Sequence, residues 1–192
     1  MTPTHTALIV PVPPAEPAVR HHRHHLDRAA SWGVPAHITI LYPFLPPPRI
    51  TAAVLDTLRD LVATVPRFTC TLTHVDWFAD TVAWLAPAPA EPFATLTHAI
   101  TARFPQAQPY GGAHPDVVPH LTIGHDHPPA TLRAAAAEAA THLPITADID
   151  TVHLIHGTPE PGGPWHTAAQ LPLGPRQAAT QNSLPSGSAI TT

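Results

Sequence analysis

Two short segments of this chain place a histidine and a threonine in the same pattern. Residues 34–40 read VPAHITI and residues 118–123 read VPHLTI. Because the side chains of a β-strand alternate between its two faces, the histidine and threonine of each segment would share one face. Two such strands would present two imidazoles, which exchange protons near neutral pH, and two hydroxyls, which donate hydrogen bonds to anions. These groups suit acid–base chemistry at a phosphate.

The His-x-Thr spacing alone carries little information in this composition. The chain has 16 histidines and 24 threonines among 192 residues, so the spacing is expected about twice by chance, and it occurs three times. Only the copies at His37 and His120 have an aliphatic residue after both the histidine and the threonine, and only they follow Val-Pro; the copy at His156 has neither feature. The pair is therefore informative, although ordinary half-buried strands with a polar face would show the same residues.

The elements that would position these strands alternate between helices and strands. Hydrophobic periodicity and proline positions predict helices over residues 15–31, 51–64, 93–104 and 129–142. They predict strands over residues 6–12, 37–41, 68–75, 81–86, 121–124, 145–149, 152–155 and 165–171, with loops at 76–80 and 110–113. One motif lies in each half of this mixed α+β chain, which is typical of two pseudo-symmetric lobes.

The composition predicts one domain. Hydrophobic residues make up 44% of the chain, enough to fill a core. We expect residues 1–173 to form a single bilobed domain, with lobes over roughly 1–87 and 88–173 that can exchange elements. Residues 174–192 are rich in Gln, Ser, Thr, Pro and Gly without periodicity, which predicts a disordered tail.

Charge and cysteine content exclude several functions. A formal net charge of −4 provides no basic field for duplex DNA, so any nucleic acid would be held locally. All nine basic residues are arginine, which excludes lysine Schiff-base and P-loop lysine chemistry. The single cysteine, Cys70, excludes an internal disulfide and is interpreted as a small buried hydrophobe. With no secretion or membrane signal in the sequence, we expect a cytoplasmic protein without a membrane partner.

Both motifs resemble a known family. Residues 36–44, AHITILYPF, and 119–123, PHLTI, resemble the paired His-x-Thr motifs of the 2H phosphoesterase superfamily, specifically its 2′-5′ RNA ligase-like branch. The order of elements is compatible over about residues 6–173, and residues 110–112, YGG, are also similar to this branch. The resemblance implies an α+β fold with antiparallel-rich sheets around a central cleft, helices outside and the motifs facing each other. It also implies metal-independent hydrolysis of cyclic or 2′-5′ phosphodiesters.

The resemblance assigns roles to four residues. His37 and His120 become the general acid and base, and Thr39 and Thr122 become the donors to the substrate phosphate; no metal or cofactor is implied. The substrate would be an RNA end or a small nucleotide, bound by a monomer. The sequence leaves open which histidine is the base, with a preference for His120 as base and His37 as acid. It also leaves open whether ligation occurs.

Two other functions remain open. A non-catalytic module that binds a nucleotide or RNA end would use the same four residues. A zinc-binding protein would use histidine clusters, either residues 21–25, HHRHH, or His114 with His120, His125 and His127. On a helix, however, only one or two histidines of the first cluster share a face with His21, and the second cluster fits the rim of a turn.

Several further residues are left outside the predicted site. Tyr42 fits either base stacking or packing at a rim. Trp77, Phe78 and Trp84 fit either the core or a substrate platform, with the core favoured for Trp84. The remaining candidates are the cations Arg49 and Arg103, as phosphate contacts or solvated side chains, and His125 at the mouth of the cleft.

Overall fold

The computed structural model describes residues 2–112, 117–160 and 163–176. Within these ranges eight strands and five α-helices follow one another: β1 His5–Pro11, α1 Glu16–Leu26, α2 Arg28–Ser31, β2 His37–Leu41, α3 Ala52–Ala63, β3 Phe68–Phe78, β4 Val82–Ala88, α4 Glu91–Arg103, β5 Leu121–His125, α5 Pro129–Ala140, β6 Ile145–Ile149, β7 Thr151–Gly157 and β8 His166–Pro172. Short 3₁₀ turns lie at Pro13–Ala15, Pro47–Arg49 and Pro109–Gly112.

The strands form two four-stranded halves joined at the two motifs. Their spatial order is β6-β3-β4-β5-β2-β1-β7-β8, and all neighbouring pairs are antiparallel. We call β1, β2, β7 and β8 the terminal lobe and β3 to β6 the central lobe; they meet between β2 and β5, where Ile38 pairs with Leu121. Counted outward from this junction, β2-β1-β7-β8 mirrors β5-β4-β3-β6. The predicted pseudo-symmetric two-lobed α+β fold is therefore confirmed.

The boundary between the lobes does not fall at the middle of the sequence. Strands β3 and β4 come from the first half of the sequence but pair with β5 and β6, and the chain returns to the terminal lobe only for β7 and β8. The strands of the central lobe therefore come from one continuous stretch, residues 68–149, which lies between the two distant segments that form the terminal lobe.

The main core lies between the sheet and the helices. Helix α4 packs on β2, α5 on β4 and β5, and α1 on β5. In the motif strands the residues between and after the polar positions are fully buried, which confirms the alternation: Ile38, Ile40, Leu121 and Ile123. Cys70 is also buried, and burial raises the pKa of its thiol to about 11, which confirms its interpretation as a small core residue.

The hairpin of β3 and β4 is longer than predicted. Residues 76–78 were expected in a loop but belong to β3, because Trp77 pairs with Ala83 and Phe78 with Val82. The turn is therefore confined to residues 79–81, where Ala79 has a positive φ of 47°. This extension carries the Phe78 ring to the second motif.

The chain stays attached to the sheet beyond residue 173. Gly174 forms a bridge with Pro66, and Arg176 donates to the Asp148 carboxylate at 2.9 Å. These contacts fall within the segment predicted as a disordered tail, of which residues 177–192 lie outside the described residues.

Among the residues that the structure describes, no helix combines the length and apolar character needed to span a membrane.

Candidate active site

The four predicted residues lie on one face of the sheet at the lobe junction. An antiparallel register through Ile38 and Leu121 sets His37 opposite Thr122 and Thr39 opposite His120. All four side chains are partly exposed. The histidines occupy one diagonal of this square, a relation in which strand residues lie about 7–8 Å apart. The two motifs are thus neighbours at the lobe junction, with both imidazoles on the same face of the sheet.

Each imidazole is oriented by a backbone carbonyl two residues before it. His37 Nδ1 lies 2.7 Å from the Pro35 oxygen, and His120 Nδ1 lies 2.7 Å from the Val118 oxygen. Because a carbonyl only accepts, Nδ1 carries the proton in both rings and Nε2 of the neutral ring keeps its lone pair. Both carbonyls belong to the Val-Pro segments before the motifs, that of the proline in the first copy and that of the valine in the second.

Burial keeps both imidazoles uncharged near neutral pH. Burial and then the positive charge of Arg23 lower the pKa of His37 to about 4, against the opposing effects of the Pro35 carbonyl and Asp27. Burial also lowers the pKa of His120, opposed by its bond to Val118. A phosphate anion between the rings would raise both pKa values, so one ring could then hold the proton that an acid must donate.

Aromatic rings surround His120. The Phe78 ring stands perpendicular to the imidazole at a centroid distance of 4.9 Å, and the Trp84 ring lies at 5.8 Å. Phe78 and Trp84 stack on each other at 5.0 Å. Trp84 pairs with Thr122 across β4 and β5, so its side chain shares the face of the motif residues. Trp84 is buried, as the sequence predicts, but its ring packs beside His120.

A second aromatic cluster lies on the same face of the terminal lobe. Trp165 stacks on Trp32 at 6.2 Å and meets Tyr42 at 6.1 Å, over a small separate core that includes Ile9. Ile9 pairs with Thr39 across β1 and β2. This cluster therefore borders the motif residues on the side opposite Phe78 and Trp84.

The turn that contains the YGG residues reaches the first motif. Tyr110 N–H donates to the Tyr42 carbonyl at 2.7 Å, and the Tyr110 side chain hydrogen-bonds Thr39. Tyr110, Gly111 and Gly112 have φ values of 51°, 66° and 83°, a left-handed conformation that glycine adopts without strain. The two glycines thus allow the turn that places Tyr110 beside Thr39.

A buried charge network lies behind His37. Arg23 Nε donates to Asp27 Oδ2 at 2.9 Å, and Asp27 Oδ1 lies 3.5 Å from His125 Nε2. Burial raises the pKa of Asp27, but the hydrogen bond from His125 and the charge of Arg23 outweigh it and lower the pKa to about 2. The Asp27 bond is the main cause of a raised pKa at His125. The sequence indicated neither Arg23 nor Asp27, because only the packing of α1 on β5 brings them to the site.

The other candidates lie apart from the four motif residues. His22 is buried near Glu138, while the rings of His21, His24 and His25 contact one another on α1. In the described ranges, no group of three or more His, Cys, Asp or Glu side chains can hold a metal ion. His114 lies outside those ranges. Arg49 and Arg103 line an open groove beside α3 and the end of α4.

A two-lobed α+β fold with paired His-x-Thr strands at its junction defines the class of 2H phosphoesterases. The family model described as the 2′-5′ RNA ligase superfamily matches residues 10–159, and this chain belongs to that superfamily.

Solved structures share the fold at low sequence identity. The protein TT0787 of Thermus thermophilus is 14% identical over 90% of this chain and 100% of its own, with a TM-score of 0.63. E. coli LigT in apo form is 18% identical over 91% of this chain and 99% of its own, with a TM-score of 0.57. The complex of LigT with 3′-AMP is 17% identical over 90% and 99%, with a TM-score of 0.56. No curated protein matches this sequence.

Proposed function

We propose that this protein hydrolyses 2′,3′-cyclic or 2′-5′ phosphodiester bonds in RNA ends or small nucleotides, by metal-independent catalysis with His37 and His120. One observation carries the proposal: two imidazoles, each anchored through Nδ1, stand on one diagonal of a square whose other corners are hydroxyls. Membership of the 2′-5′ RNA ligase superfamily supports it.

The arrangement provides the groups that the reaction needs. One Nε2 takes a proton from the attacking water as its oxygen bonds to phosphorus. The other, protonated Nε2 gives its proton to the ribose oxygen as the bond from phosphorus to that oxygen breaks. Thr39 and Thr122 donate to the non-bridging oxygens and stabilise the charge on the phosphoryl group. Proton exchange with solvent then restores both imidazoles.

The aromatic clusters support a nucleotide as the substrate. Phe78 and Trp84 lie on one side of the motif residues, and Trp32, Tyr42 and Trp165 on the other. Trp84 and Trp165 are buried, whereas Phe78, Trp32 and Tyr42 are partly exposed and therefore accessible to a nucleobase. Stacking of a base on such a ring is worth about 1–3 kcal/mol. LigT, which shares the fold, has been crystallised with 3′-AMP and with ATP.

A substrate screen with product identification tests the proposal. The substrates are 2′,3′-cyclic mononucleotides and 2′-5′ and 3′-5′ linked dinucleotides, each incubated with EDTA and without it. We expect hydrolysis of a cyclic or 2′-5′ bond, unaffected by EDTA, and a single phosphomonoester product whose position identifies the leaving oxygen. Tight nucleotide binding without product would instead support the non-catalytic module, and loss of activity in EDTA would contradict the metal-independent mechanism.

We also infer that residues 1–173 act as one catalytic unit, as a monomer in the cytoplasm. The insertion of the central lobe between the two segments of the terminal lobe supports a single folding unit. The lone buried thiol of Cys70 needs no oxidising compartment. Light scattering coupled to size exclusion should give the mass of one chain, 20.4 kDa; a dimer mass would contradict the monomer.

A further inference from the structure

Helix α1 holds the backbone segment that orients His37. Glu16 Oε1 accepts from the Ala36 N–H at 2.7 Å, and Arg23 Nη2 donates to the Val34 carbonyl at 3.3 Å. Between these two points lies Pro35, whose carbonyl accepts from His37 Nδ1. Side chains of one helix therefore hydrogen-bond the backbone on both sides of the Pro35 carbonyl, which sets the orientation of the His37 imidazole.

Burial of the charged Arg23 side chain has an unfavourable desolvation free energy that an ion-pair partner must offset. Arg23 is 2% exposed, and its guanidinium is paired with Asp27, which is itself buried and also accepts from the Ala29 N–H at 2.9 Å. A buried ion pair is seldom more stabilising than apolar residues of the same volume. Its location behind His37 therefore favours a role in the site over a role in stability alone.

The two histidines have different surroundings. His120 is packed against the uncharged rings of Phe78 and Trp84. The charged or titratable groups around His37 come from several elements. They are Glu16, Arg23 and Asp27 from α1 and its C-terminal end, His120 from the residue just before β5, and Tyr110 from the turn beside Thr39. Of the charges, Arg23 acts on His37 more strongly than Asp27 does, and it disfavours a second positive charge there.

We propose that Glu16, Arg23 and Asp27 form a positioning clamp that holds His37 neutral with its proton on Nδ1. His37 is then the proton acceptor and His120 the proton donor in hydrolysis, the reverse of the assignment that the sequence favours. His37 Nε2 takes the proton of the attacking water as the new oxygen–phosphorus bond forms, and His120 donates to the ribose oxygen that leaves. The roles rest on the proposed function, whereas the clamp itself is measurable without turnover.

A pair of Glu16 variants tests the grip on the backbone. Glu16→Ala removes the acceptor for the Ala36 N–H, whereas Glu16→Gln keeps an oxygen at the same position. Because small displacements of catalytic groups are costly, we expect Glu16→Ala to lower kcat by about tenfold with KM changed less than about twofold. Glu16→Gln should retain the wild-type kcat. Equal activity of the two variants would overturn the positioning role.

The charge pair is tested by variants with opposite electrostatic effects. Arg23→Met leaves only the negative charge of Asp27 near His37, so the pKa of the His37 imidazole should rise. Asp27→Asn leaves only the positive charge of Arg23, so the pKa of His37 should fall. Nitrogen-15 NMR of the His37 ring measures both the pKa and the protonated nitrogen. Each variant removes one partner of the same buried ion pair. If the pair had a purely structural role, both variants would shift the pKa of His37 in the same direction.

Kinetics then test the assignment of roles. The acidic limb of the pH profile of kcat/KM should move with the pKa of His37, upward in Arg23→Met and downward in Asp27→Asn. Movement of the alkaline limb, or shifts of the same sign in both variants, would overturn the proposal. If the wild-type protein shows no turnover, the proposed function is wrong, but the NMR measurement of the His37 ring still tests the positioning clamp. If the charge variants do not fold, the Glu16 pair decides.

Discussion

At the scale of residues, the proposed site consists of two His-Thr pairs that share one sequence pattern but have different neighbours. The equivalence comes from the shared sequence pattern, in which a carbonyl two residues earlier anchors each imidazole. The difference comes from tertiary contacts, because charged groups surround His37 and aromatic rings surround His120. A common pattern can therefore provide an acid and a base, which need opposite protonation states at the same pH.

Replacement of Thr122 tests the role of the hydroxyls. Thr122→Val keeps the branched shape but removes the hydroxyl that we propose as a donor to the phosphate, so we expect kcat/KM for the preferred phosphodiester to fall about 10²-fold. Thr122→Ser keeps the hydroxyl and should retain most of the activity. Steady-state kinetics of both variants, with urea unfolding as a check on the fold, measure the difference. Equal losses in the valine and serine variants would show that the hydroxyl has no part in catalysis.

The lowered pKa of His37 predicts a pH dependence of stability. Between pH 6.5 and about 4 the unfolded chain binds a proton at this residue that the folded protein does not, so the free energy of unfolding falls as pH drops through this window. Allowing for partial exposure of the ring, the loss is roughly 2 kcal/mol. The Asp27 contribution is separable, because its lowered pKa affects stability only between pH 3.8 and about 2.

Urea unfolding of the wild type and of His37→Asn, at about pH 7 and about pH 4.5, measures the His37 contribution. Asparagine cannot titrate but offers an N–H to the Pro35 carbonyl. We expect the fall in stability between the two pH values to be smaller in the variant by roughly 2 kcal/mol. An unchanged pH dependence would mean that the folded protein does not disfavour the charged form of His37.

At the scale of elements, the site depends on the close packing of α1 against β5. Gly124 permits this approach, because a Cβ added there would lie 2.6 Å from the Leu26 Cβ and 3.1 Å from Leu132 Cδ2. Leu26 follows Arg23 by about one turn of the same helix. A displaced α1 would therefore disturb both the core and the segment that leads to His37.

Gly124→Ala should accordingly lower the free energy of unfolding by about 1–3 kcal/mol, the usual effect of overpacking. We also expect a lower kcat, since α1 carries Glu16 and Arg23. In the double variant Gly124→Ala with Leu26→Ala, the contact of the added Cβ with Leu26 Cδ1 at 3.3 Å is removed, but the closer contact with the Cβ of residue 26 at 2.6 Å remains. The double variant should therefore recover little stability. A single variant as stable as wild type would show that α1 tolerates a shift away from β5.

The strand motifs and most helices were predictable from sequence because each has a strong local pattern. Alternation identified the polar face of β2 and β5, and apolar spacing identified α3 at residues 52–63. The end of β3 was not predictable, because residues 76–78 combine an acidic residue with two aromatics and extend the strand only by pairing with β4. Phe78 was therefore not recognised as a neighbour of His120.

At the scale of the whole molecule, long-range pairing creates the site. Ile38 and Leu121 are far apart in sequence, and no local signal specifies that their strands are neighbours or which register they adopt. The buried pair of Arg23 and Asp27 was likewise not predictable, because no pattern in the histidine-rich sequence of α1 indicates that these two side chains are buried. The four motif residues could be named from sequence, whereas the groups that distinguish the two histidines required the assembled lobes.

The central claim is that His37 and His120 act on one phosphate as a unit, and a double-mutant cycle tests it most directly. The measurement is kcat for the preferred phosphodiester in the wild type, His37→Ala, His120→Ala and the double variant. We expect each single variant to lose about 10²–10⁴-fold, and the double variant to lose no more than the less active single variant, because a concerted proton transfer fails when either partner is missing. Losses that multiply in the double variant, or a single variant with undiminished activity, would contradict the claim.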